Sequence, residues 1–270
     1  MAEKYVGYLD ILGFKSWLNS NDVYEAKDYF NSYSDAFHET WNRCKTNGIH
    51  CIMVSDCAVI YSDDVEKEKL KNLINVAVEI SIDLFQKTSI LIRGAICKGD
   101  FEMLKNAGDS NIEERLFTGK AYVEAFKLEE EAKIAGIALD ENVSRDIGKH
   151  IKELETRITK QEDVIKAKKY TLIRYFSYDY LLEDNHLDKF VNLMIESNWL
   201  PHYYNTIYSV LYRADHKEIF EHIIRIIENK DKNGELFKAF IRGAYSVEVD
   251  KQLGNQLSSF IRNKIVKGES

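Results

Sequence analysis

The chain has 270 residues, a formal net charge of −7 and a sequence pI of about 5.6. That balance excludes a general nucleic-acid binder, which needs a basic face, but it says nothing against a small phosphorylated substrate. Every apolar run is broken by charges before the roughly 18 residues a membrane span requires. At 45% hydrophobic and 12% aromatic there is enough apolar material for one large domain, or a domain with an extension.

Met1-Ala2-Glu3-Lys4 leads straight into an apolar strand, which leaves no room for a signal peptide, and a cytoplasmic protein is expected. Cys44, Cys51, Cys57 and Cys97 form neither a CxxC pair nor a zinc spacing. Three of them lie in apolar strand-like runs, so all four read as buried free thiols in a reducing compartment.

The first strand, Tyr5 to Phe14, carries a single carboxylate, Asp10, at its centre and ends in Gly13-Phe14. A lone buried aspartate costs several kcal/mol unless it is paired or binds a metal. Ile52 to Tyr61 repeats the anomaly with Asp56, so the two acids suggest one divalent-cation site. Taken singly, each also reads as a turn or cap residue.

Ser20-Asn21-Asp22, with Glu25 in capping-box position, predicts a helix start. Val23, Ala26, Phe30, Tyr33, Phe37 and Trp41 continue the helix to about Cys44, and Asn47-Gly48 ends it. His50 to Ser62 reads as a hairpin turning at Ser55-Asp56. Asp63-Asp64 is expected to start a helix with its apolar face on Leu70 to Phe85. Ser89 to Cys97 reads as a strand with Arg93-Gly94 at its middle, followed by a polar loop around Asn106 to Glu114. Leu116 to Gly119 leads into a helix from about Lys120 to Ala135, and Gly136 to Asp140 reads as a last short strand.

This order predicts an α+β fold of ferredoxin-like βαββαβ type, with helices on one face of a mainly antiparallel sheet. In that topology the first strand lies beside the hairpin, which puts Asp10 near Asp56. The domain is expected over residues 1–145, and residues 146–270 are read as a helical C-terminal region. Within that region, 149–169 looks like a charged, solvated helix, and helical periodicity continues from Tyr170 onward. The clustered tyrosines there read as packing.

Tyr8-Leu9-Asp10-Ile11-Leu12-Gly13-Phe14-Lys15 resembles the F-x-D-I-x-G-F opening of class III nucleotidyl cyclase domains. Asp56 in its hairpin resembles the second metal aspartate of that family. Ile92-Arg93-Gly94-Ala95-Ile96 with Gly99 is similar to the R-x-G-I-x-x-G strand, and Gly119 to Glu129 is similar to the G-x-x-V-N-x-A-x-R-L-E helix. The resemblance covers roughly residues 4–143. Val123 stands where the family has its catalytic Asn, and Lys127 where it has Arg, a point charge in place of a bidentate fork. Ile52 and Leu116 occupy the two positions that read the base in purine cyclases. An apolar pair there discriminates adenine or guanine poorly, because specificity comes from paired donors and acceptors.

The pattern resembles most the bacterial antiphage pyrimidine cyclases (the Pycsar group), which make cyclic UMP or cyclic CMP. That resemblance implies a lyase binding two divalent ions, Mn²⁺ or Mg²⁺, through Asp10, Asp56 and the backbone of Ile11. It implies that the backbone of Ile11, Leu12, Gly13 and Phe14 approaches the phosphates. It also implies a head-to-tail homodimer with shared sites, in which Lys127 acts on the Asp pair of the other chain. Uridylate cyclase is favoured over cytidylate cyclase, and a downstream cyclic-nucleotide effector is a further expected partner. His50 reads either as a pyrimidine contact beside Tyr61 or as an ordinary strand-end histidine. Arg93 either pairs with a carboxylate in the dimer interface or reaches the nucleotide. The competing readings are an adenylate or guanylate cyclase and a non-catalytic nucleotide sensor.

Overall fold

A computed structural model describes residues 1–15, 18, 23–104, 116–148, 150, 164–166, 170–175, 186, 188–190, 193, 202, 206 and 225. In chain order the elements are β1 (Ala2–Ile11), α1 (Val23–Arg43), β2 (Ile49–Val54), β3 (Cys57–Ser62) and α2 (Lys67–Thr88). They continue with β4 (Ile92–Met103), β5 (Phe117–Thr118), α3 (Lys120–Ala132), β6 (Ile137–Leu139), α4 (Glu141–Ile147), β7 (Val164–Lys166) and β8 (Thr171–Ile173).

The sheet runs β2-β3-β1-β4-β6-β8-β7, with β5 paired to β4. Its first four strands have the ferredoxin-like order, all antiparallel, and only β4–β6 is parallel. The expected α+β fold is therefore present. The expectation of helices on one face is corrected. β1 is buried from Tyr5 to Leu9 without a break, so both of its side-chain parities are apolar and both faces need cover. Tyr5, Leu9 and Ile11 pack into the core with α1 and α2. Val6 and Tyr8 face the other way, onto Ala121 and Ala125 of α3.

Buried charge ties α1 to α2. Thr40 donates its hydroxyl to Asp83 Oδ2 at 2.6 Å, and Arg43 Nη2 lies 2.9 Å from the same oxygen and 3.0 Å from Glu79 Oε2. With Asp83 only 2% exposed, these partners offset a desolvation that would otherwise be severe.

Several boundaries move. α2 starts at Lys67 rather than at Asp63-Asp64, because Asp64 Oδ1 accepts the Glu66 N–H at 2.8 Å and holds the preceding turn. β4 runs on to Met103 because the first residues of β1 pair with it, Ala2 opposite Phe101. The helical reading of 164–166 and 171–173 is corrected to strands. β-branched Val164, Ile165, Thr171 and Ile173 suit a strand, and β8 takes up the ladder bonds of β6. Of the thiols, all free, Cys97 is buried and the other three are half-buried. Asp22, the 106–114 loop and most of the C-terminal helical reading lie outside the described residues.

Candidate active site

Strand register builds the site. Side chains two apart on a strand share a face, so Asp10 follows Val6 and Tyr8 onto the α3 face. It lies opposite Cys57 of β3 and Arg93 of β4. Asp56 is the next residue beyond Cys57, in the β2–β3 turn where Ser55 takes a φ of 55°. The turn is stitched to β1 by the Ile11 N–H, which donates to the Asp56 carbonyl at 3.1 Å. The two acids picked out in the sequence therefore meet at one end of the sheet.

Arg93 lies between carboxylates. Its Nη2 and Nε are 2.7 and 3.0 Å from Asp10 Oδ2, and Nε is also 2.5 Å from Glu129 Oε1 on α3. Its Nη1 lies 3.2 Å from Nε2 of His202. The Asp10 side chain is 13% exposed and that of Glu129 only 1%. Burial raises Asp10 above the usual carboxylate range, Arg93 pulls it back, and Asp56 pushes it up again. Burial pushes Glu129 up to about 7 against the pull of Arg93. His202 is pushed down to about 4 by burial, with Arg93 and Lys133 adding to the effect. The sequence reading offered Arg93 a carboxylate in the dimer interface or the nucleotide. Arg93 takes carboxylates, and they belong to its own chain.

The remaining candidates divide. The N–H groups of Ile11 and Leu12 are engaged within the fold, on Asp56 O and on Leu91 O at 2.8 Å. In the same turn Gly13 takes a φ of 81° before Phe14. The Leu12 and Phe14 side chains are core, and Phe14 packs on Tyr29 and Phe30. Ile52 is half-buried opposite Val59, on the same sheet face as Asp10. His50 sits at the other end of the hairpin from Asp56, stacked on Tyr61 with Nε2 2.6 Å from Asp63 Oδ1. Leu116 is half-exposed before β5. Lys127 is not brought to Asp10. It lines a cleft of about 590 Å³ on the flank of α3 with Lys98, Asp100, Lys120 and Glu124.

The donor set fits a divalent ion. Asp10 and Asp56 carry hard carboxylate oxygens, and the charge of Asp56 is near enough to raise Asp10. Among the described residues no group of three or more His, Cys, Asp or Glu is placed to hold an ion. Mg²⁺-type sites characteristically use one or two carboxylates and complete their shell with water and substrate phosphates.

The sequence reading missed Glu129 and His202. Glu129 had a signal: it falls on the sheet-facing stripe Ala121, Ala125, Leu128, Ala132, where a carboxylate must be buried. His202 reaches Arg93 across 109 residues and had none.

No family model matches the chain, and no curated protein matches it either. Among solved structures it is similar to the adenylyl cyclase CyaB from P. aeruginosa, at 13% identity over 66% of this chain and 96% of that one, with a TM-score of 0.47. It is similar also to the guanylate cyclase domain of RhGC from Catenaria anguillulae in complex with GTP, at 14% identity, 63% and 93% coverage and a TM-score of 0.47. A third is the guanylyl cyclase Cya2, at 10% identity, 63% and 88% coverage and a TM-score of 0.44.

Proposed function

We propose that this chain is a divalent-metal-dependent nucleotide cyclase that converts a pyrimidine nucleoside triphosphate, UTP in preference to CTP, into its 3′,5′-cyclic monophosphate. The observation that carries this reading is the meeting of Asp10 and Asp56, on the motifs that resemble class III cyclases, at the end of β1. In the reaction the ribose 3′-oxygen bonds to the α-phosphorus, the bond to the β-phosphate oxygen breaks, and pyrophosphate leaves while the hydroxyl loses its proton. When bound, the divalent ions favour the ionised 3′-hydroxyl and neutralise the triphosphate. Asp10 and Asp56 would hold those ions, and the Gly13-Phe14 backbone would approach the phosphates. Ile52 and Leu116 are apolar at the positions that read the base in purine cyclases, and that supports the pyrimidine reading.

Lys127 is turned to the α3 flank, away from its own Asp10. That separation supports a homodimer in which it serves the partner's substrate. Val54, Val123 and Phe126 are exposed apolar residues suited to such an interface. The role we assign is second-messenger synthesis in antiphage defence, with a cyclic-nucleotide effector downstream. A non-catalytic nucleotide sensor is the second reading, favoured by Val123 in the position of the family Asn.

The test is to incubate the purified chain with Mn²⁺ and each of ATP, GTP, CTP and UTP, and to identify products by mass. Cyclic UMP is expected, with cyclic CMP second, and the Asp56→Ala variant should lose at least about 100-fold in rate, as when a principal charge-stabilising group is removed. Cyclic AMP or cyclic GMP would overturn the pyrimidine assignment and leave the cyclase. Nucleotide binding without any product would leave the sensor.

A further inference from the structure

The same side chain that neutralises Asp10 is also met by two further groups, Glu129 and His202. Arg93 contacts Asp10 only at Oδ2, through Nη2 and Nε. The Nε also lies against Glu129, and Nη1 against the imidazole of His202. Glu129 and His202 are both buried, on α3 and in the C-terminal region, so two separate segments meet the guanidinium beside Asp10. Two carboxylates, Asp10 and Glu129, share this one guanidinium. A buried carboxylate needs a counter-charge whether or not a metal is bound. A divalent ion arriving at Asp10 meets a carboxylate whose charge Arg93 already shares, so ion and guanidinium compete for it.

We infer that Arg93 is a placeholder cation on Asp10, displaced when a divalent ion binds, and that Glu129 and His202 are positioning residues that receive it. This rests on the reading of Asp10 and Asp56 as metal ligands and goes beyond it. Arg93 sets the threshold at which metal enters, and the C-terminal region takes part in that threshold through His202. Movement of the guanidinium off Asp10 needs no new partner, because Glu129 already touches the same Nε. The positive charge stays in the site, where it balances Glu129 once Asp10 belongs to the ion.

The experiment measures Mn²⁺ binding to the nucleotide-free full-length chain by calorimetry, with the melting temperature of each metal-free variant as a control for folding. Arg93→Met removes the competitor and should bind Mn²⁺ about tenfold more tightly, while Glu129→Gln removes the receiving group and should bind it about tenfold more weakly, the range seen for groups that orient metal ligands. A purely structural role would weaken binding in both, so the opposite signs are the diagnostic. Equal affinity in wild type and Arg93→Met, or weaker affinity in both variants, overturns the inference. If Arg93→Met does not fold, Arg93→Gln takes its place, with tighter binding again expected. Asp10→Asn separates the two levels. If it abolishes Mn²⁺ binding in wild type while Arg93→Met changes nothing, the placeholder fails and the metal site stands. If it leaves binding unchanged, the metal site fails and the placeholder with it.

Discussion

His202 and Glu129 make the pH dependence of the site a contest between two buried groups of opposite kind. The histidine goes from an ordinary value of 6.5 to about 4 on folding, so the unfolded chain takes up its proton first as pH falls. Its contribution to stability is complete above about pH 6.5 and is lost as pH falls toward 4. The glutamate goes from 4.5 to about 7, so the folded chain holds its proton longer, and stability falls as pH rises from about 4.5 to 7. We therefore expect His202→Gln to lose less melting temperature than wild type between pH 7 and pH 5. Glu129→Gln should gain on wild type as pH rises from 5 to 8. Melting curves across that range check both signs, and parallel curves for variant and wild type would refute them. Asp10 and Asp56 were visible as single acids in otherwise apolar strands because the cost of burying a charge is written locally. Glu129 was half visible, as an acid on an alanine stripe.

At the scale of elements, α3 decides which face of the sheet becomes the site, and its placement hangs on the turn before it. Gly119 has a φ of 151°, and a Cβ there would meet the Asp100 backbone carbonyl and lie 2.6 Å from Phe101 Cα. No side chain fits without moving β4 or α3. Gly119→Ala should cost roughly 1–3 kcal/mol, the usual range for forced overpacking. Chemical denaturation measures the loss, and a change below about 0.5 kcal/mol, the size of an ordinary surface substitution, would remove this account of the turn. The helix–hairpin–helix order was legible because its periods of 3.6 and 2 are strong. Residues 164–173 were misread because the lysines at 166, 168 and 169 hid two short strands, one of which pairs with β6, far away in the chain, and the other with it in turn.

In the whole molecule, the described part of the C-terminal region is joined to the site end of the sheet. β8 and β7 extend the same sheet beyond β6. Tyr175 donates its hydroxyl to the Ile92 carbonyl at 2.5 Å and accepts the Ile92 N–H at 3.1 Å, one residue before Arg93. Thr206 accepts the Ala135 N–H at 2.9 Å, just before β6. Tyr175→Phe leaves a buried backbone donor and acceptor without this partner and should cost roughly 1–3 kcal/mol. A denaturation midpoint unchanged from wild type would show that the Ile92 groups find other partners.

Composition and period by themselves determined the α+β class, the βαββαβ order, the hairpin at Ser55-Asp56 and the two unusual aspartates, because each is a local consequence of side-chain size, charge or spacing. Tertiary structure alone decided that α3 covers the face opposite α1 and α2. It also decided that Lys127 turns away from Asp10, and that Arg93 stands between Asp10, Glu129 and His202. Those facts depend on which residues a folded sheet brings together across 83 and 109 positions of chain, and no local pattern records a contact of that range.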